Sequence, residues 1–66
     1  MNFKEAMLMY LKNNGKDVNW VAKKLDVSVQ TIYAKKKPSI NFIRQFCDLM
    51  NCYIVSDGYS YNIIDK

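Results

Sequence analysis

From Asp17 to Lys37 the chain reads DVNWVAKKLDVSVQTIYAKKK, and few local structures suit that order of residues. Val21, Ala22 and Leu25 lie three and four positions apart, the spacing of one buried helical stripe. Asp17 stands where its carboxylate can accept from the free amides of a first turn. This predicts a helix over 18–25. Asp26 follows where the chain must bend, Val27 is expected to be buried, and Ser28 is a good N-cap for a second helix over about 29–36. In that second helix only Ile32 is strongly apolar and expected to point inward. Val29, Gln30, Thr31, Tyr33 and Ala34 are left on outer faces, and three consecutive lysines close the segment.

A helix with one core anchor, outward amides and hydroxyls and a basic end suits a recognition surface. That is the sequence form of a helix-turn-helix. The segment resembles the helix-turn-helix of the Cro and phage-repressor family (Xre-like regulators). Ala22 matches the small residue of the family's first motif helix. Val27, Ser28 and Ile32 match the apolar residue, serine and inward aliphatic that follow the turn. Trp20 also occurs in many relatives, and the run PSINFIRQFCDLMNC from Pro38 resembles the family's next helix. The resemblance covers about residues 4–55. Asp26 replaces the usual turn glycine, and Val18 replaces a Gln or Thr that braces the DNA backbone.

The resemblance implies a sequence-specific regulator of phage or mobile-element type that reads double-stranded DNA in the major groove. Ser28, Val29, Gln30, Tyr33 and Ala34 fall at positions for base contact. Gln30 can pair with an adenine edge, while Val29 and Ala34 suit thymine methyls. Asn19, Thr31, Lys35, Lys36, Lys37, Ser39, Asn41 and Arg44 fall at positions for phosphate contact. The other reading is a protein-interaction module, an antirepressor or host-factor inhibitor, on a scaffold that no longer reads DNA. Asp26, Val18 and the apolar Val29 keep it open.

Charge agrees with a polyanionic partner. Residues 1–50 carry a net charge of +5 and residues 51–66 a net charge of −1, so the basic excess accompanies the helices. Such a surface attracts a phosphate backbone and releases its counterions. Lys12, Lys23 and Lys24 read instead as a solvated helical surface. The rest of the chain frames this motif within a single domain, residues 1–66. A first helix is expected over 4–14, with Met7, Leu8 and Leu11 inward and Gly15 as its stop. Pro38 ends the second motif helix. Ser39 caps a fourth helix over about 40–50, with Ile43, Phe46, Cys47 and Met50 on one face.

The tail, CYIVSDGYSYNII, alternates instead, and Asp57-Gly58 marks a hairpin over about 52–64. A two-residue loop there sets Ser56 opposite Tyr59, Ile54 opposite Tyr61 and Cys52 opposite Ile63. Cys52, Ile54, Tyr59, Tyr61 and Ile63 then share an inner face. Tyr53, Val55 and Ile64 share an outer one that is apolar for free exposure. A lone hairpin leaves unpaired edges, so these three are the expected seam of a homodimer, the other reading being that the hairpin simply packs on its own monomer.

The expected class is therefore mainly α with a small β element: a four-helix repressor-like domain followed by a C-terminal hairpin. Catalysis has little support. There is no histidine, the acids are scattered, and no glycine-rich phosphate loop is present. Cys47 and Cys52 read as core thiols, and no metal, cofactor or small-molecule ligand is expected. Lys4 and Glu5 interrupt the start and Lys12 closes its apolar run, so no signal peptide or membrane span is expected and the location is read as cytoplasmic.

Overall fold

The computed structural model describes residues 2–34 and 37–66. The chain is mainly α: helices α1 (Phe3–Asn13), α2 (Val18–Leu25), α3 (Val29–Tyr33) and α4 (Ile40–Met50), then strands β1 (Cys52–Ser56) and β2 (Tyr61–Asp65). The two strands form one antiparallel sheet.

Each helix begins at a side chain that accepts from a first-turn amide. Asp17, Ser28 and Ser39 cap α2, α3 and α4 through the amides of Trp20, Thr31 and Phe42, at 2.8, 3.1 and 3.1 Å. Asn2 caps α1 and forms a reciprocal box with Glu5, so that helix starts one residue earlier than expected. Its other end closes as anticipated. Gly15 adopts φ +70°, the Gly15 amide donates to the Lys12 carbonyl, and the Lys16 amide donates to the Leu11 carbonyl.

The core is built from Phe3, Met7, Tyr10 and Leu11 of α1, Val18, Val21 and Ala22 of α2, Ile32 of α3, Phe42 and Phe46 of α4, and Cys52 of β1. Aromatic edges tie these elements together. The Phe3 ring meets Phe42 at 5.9 Å and Tyr61 at 5.6 Å, both edge-on, and Phe42 lies 6.1 Å from Phe46. Two expected core residues are not there: Leu8 lies on the outer side of α1 and Val27 is exposed in the turn. The stripe Phe3, Met7 and Leu11 already fills the inward line of α1, so Leu8 falls beyond its edge. Ile43, Cys47 and Met50 are only half-buried, while Phe42 joins Phe46 in the core. Val18 is buried too, and its side chain adds to the core.

The hairpin register differs from the expected one. Cys52 pairs with Asp65, Tyr53 with Ile64, Ile54 with Ile63, Val55 with Asn62 and Ser56 with Tyr61. The loop is therefore the four residues from Asp57 to Ser60 rather than Asp57-Gly58 alone. The cause is the Asp57 side chain. Its Oδ1 accepts from the Tyr59 amide at 2.9 Å and the Ser60 amide at 2.8 Å, while the Asp57 amide donates to the Ser60 carbonyl at 3.3 Å. These bonds hold the chain open across four residues, with Gly58 at φ +96°. The slip is two residues, so the alternation of faces survives. Cys52, Ile54, Tyr61 and Ile63 still face the helices, but Tyr59 leaves the inner face for the loop tip, where it is 94 % exposed. Tyr10 donates its hydroxyl to Asp65 and ties the last strand to α1. Burial, with that bond second, raises the Tyr10 hydroxyl well above its ordinary value.

Asp57 makes this turn sensitive to acid. Hydrogen bonds from Ser60 and then Tyr59 hold its carboxyl below the ordinary 3.8. The folded value lies under the unfolded one, so its contribution is complete above the unfolded value and is lost as pH falls through the folded value. A carboxyl-detected NMR titration is expected to place the Asp57 midpoint below 3.8. In the same series the Tyr59 and Ser60 amide shifts should move together with it. A midpoint at or above that value counts against the turn described.

Candidate nucleic-acid interface

The surface around α3 is set by the turn before it. Asp26 ends α2 in the left-handed conformation, φ 56° and ψ 48°, and its amide donates to the Ala22 carbonyl. The Val27 amide donates to the same carbonyl at 3.0 Å. Asp26 thus adopts the backbone that glycine supplies most easily, at a cost that Asp bears better than most residues. Ser28 then starts α3. Its Oγ accepts from the Thr31 amide and lies 2.6 Å from Thr31 Oγ1, so the two hydroxyls are held together on one side of the helix.

Ile32 is the only fully buried residue of α3. Gln30, Thr31 and Tyr33 are exposed, as are Ser28 and Ala34 at its two ends. Val29 is a correction: it packs partly against the core, so only part of it remains on the outer surface. The helix is also shorter than expected, ending at Tyr33 instead of near residue 36. A short helix is stabilised by packing more than by propensity. No apolar residue after Ile32 carries α3 into the core, and Pro38 lies close ahead. Lys35 and Lys36 lie outside the described residues. Lys37 is exposed and non-helical.

The remaining expected contact residues sit on neighbouring elements. Asn19 is exposed on α2, and Ser39, Asn41 and Arg44 are exposed at the start of α4. Among the described residues none of these four makes a hydrogen bond to α3. Ser39 Oγ is engaged in capping through the Phe42 amide. One residue that the sequence did not single out does meet the helix. The Lys4 ammonium of α1 lies 5.0 Å from the centre of the Tyr33 ring. Two residues 29 apart in sequence meet only through the fold, so no local pattern signals the pair. On α2, Trp20 lies beneath Lys16 at 4.7 Å and Lys24 at 5.8 Å.

Cys52 is buried, and burial first and its neighbour Cys47 second push its thiol up to about 12, far from a reactive thiolate. Among the described residues no group of three or more His, Cys, Asp or Glu could hold a metal ion. No described helix is long and apolar enough to cross a membrane. Comparison of the chain with protein-family models, with curated proteins and with solved structures gave no match.

The strained turn yields a direct test. Asp26→Gly should remove the left-handed penalty and lose part of that gain to the freedom of glycine in the unfolded chain. A net stabilisation of about 0.5–1 kcal/mol is expected in urea unfolding. A destabilised variant would mean that the Asp26 side chain contributes something beyond this backbone geometry.

Proposed function

We propose that this protein is a sequence-specific double-stranded DNA-binding regulator of phage or mobile-element type, reading its operator in the major groove with α3. The observation that carries the reading is the lopsided burial of that helix. Ile32 anchors it, with Val29 packed partly beside it, while an amide, two hydroxyls and an aromatic ring face outward and the Lys4 ammonium lies at its end. A helix of this kind offers base-edge chemistry along its length and charge for the flanking backbone. Gln30 is the principal base reader, with Ala34, Tyr33 and the outer part of Val29 beside it. Ser28 and Thr31 exchange their mutual bond for contacts at the groove edge. Lys35, Lys36, Lys37, Asn19, Ser39, Asn41 and Arg44 contact phosphates, and regulation follows from occupancy of the operator.

Size supports a two-fold assembly. The backbone of one copy spans 29 Å along its longest axis, comparable to the roughly 34 Å between successive major-groove faces on one side of a duplex, and it presents a single α3. One copy therefore covers one half-site. Tyr53, Val55 and Ile64 lie together on the outer face of the hairpin, each about half exposed, and form the dimer seam. The protein-interaction reading draws on a different surface, the exposed Leu8 and Met9 of α1. It requires no salt-dependent DNA binding, and that separates the two.

Mobility shifts on mixed duplexes should show binding that falls steeply between 50 and 200 mM salt. Selection from random duplexes should return paired half-sites. On the selected site, Gln30→Ala should cost about 1–3 kcal/mol and relax preference at one base position. Equal loss on every sequence would remove Gln30 from base reading. Val55→Lys should leave the helices folded, shift sedimentation towards the monomer and reduce operator affinity more than nonspecific affinity. A wild-type chain that stays monomeric both free and on a single half-site bound at full affinity would sink the dimer.

A further inference from the structure

We propose that Lys4, at the start of α1, is a further DNA-backbone contact, held beside the C-terminal end of α3 by the ring of Tyr33. This rests on α3 being the DNA-reading helix and extends the grip to an element outside the α2–α3 motif. Its ammonium lies 5.0 Å from the ring centre, and the Tyr33 ring is itself exposed, so the cation stands on the outer surface beside the reading helix. A carboxylate in that place would fix the lysine and cancel its charge. An aromatic face fixes it through the ring quadrupole and leaves the full positive charge available.

The acid nearest in sequence does not compete. Glu5 points back to the helix start, where its Oε1 accepts from the Asn2 amide at 3.4 Å and its own amide donates to Asn2 Oδ1 at 2.8 Å. Among the described residues Lys4 has no ion-pair partner. A phosphate lying along the end of α3 would therefore meet a lysine that is already oriented. Much of the rotamer freedom that a long side chain loses on binding is already restricted. Lys12, about two turns further along the same helix, lines only the open outer surface with Glu5, Leu8 and Met9, and serves as the control.

The test measures wild type, Lys4→Gln, Lys4→Arg and Lys12→Gln by the dependence of affinity on salt, on one selected duplex and on mixed duplexes. Thermal melts confirm that each variant is folded. Lys4→Gln is expected to lower the log–log salt slope by about 0.9, one phosphate contact, with similar weakening on both kinds of DNA. Lys4→Arg should keep the wild-type slope, and Lys12→Gln should change it less than Lys4→Gln. A wild-type slope in Lys4→Gln, or a drop no larger than that of Lys12→Gln, would overturn the assignment while leaving α3 as the reader. Absence of salt-dependent binding in the wild type would remove the DNA-reading function itself, and this contact with it.

Discussion

The edge-on contacts of Phe3 hold the molecule together. One ring at the first turn of α1 touches Phe42 of α4 and Tyr61 of β2, and Phe42 continues to Phe46 and from there to Tyr10. These rings join the first helix to the last helix and the hairpin, which lie at the other end of the sequence. In a chain of 66 residues, where a single core leaves little margin, that cross-link does much of the work of a larger interior. The α2–α3 pair attaches to this frame through Val18, Val21, Ala22 and Ile32. The frame can therefore be rigid while α3 keeps most of its surface outside.

Local chemistry fixes where the elements begin and end. Four side-chain caps set the helix starts, and residues with positive φ stand at three helix ends: Gly15, Asp26 and Asn51. Two of these are not glycine, so part of the packing energy is held against backbone strain. Asp26 sits between α2 and α3, where the angle of the turn decides how α3 lies on the surface. The hairpin depends on two separate ties, the Asp57 turn at its tip and the Tyr10–Asp65 bond at its open end.

Much of this was legible in the residues, and the failures have a common physical origin. Asp17, Ser28, Ser39 and Gly15 announce helix boundaries because capping and left-handed geometry depend on one or two residues. Ile32 announces itself because nothing else in α3 is apolar enough to compete. Leu8, Val27 and the burial of Phe3, Phe42 and Val18 were not legible, because helical spacing gives a stripe but not the position of its edges. The hairpin register was half legible: alternation fixed the faces, while only the bonds of Asp57 selected four loop residues over two. In the candidate interface the sequence placed Gln30, Thr31, Tyr33 and Ala34 outward, but it offered no sign of Lys4, whose position beside Tyr33 depends on the tertiary fold.

Trp20 gives the molecule a property of another kind. It is the single tryptophan of the chain, and two ammonium groups, those of Lys16 and Lys24, lie within 6 Å of its ring centre. Two nearby charges impose a local electric field on the indole, and the energy of its excited state depends on that field. Withdrawal of either ammonium towards an anion alters that field and should shift the emission with the fold intact. The α2 surface thus carries an indole placed to act as an optical voltmeter, and a spectrum of the unlabelled protein should report the state of charge around it.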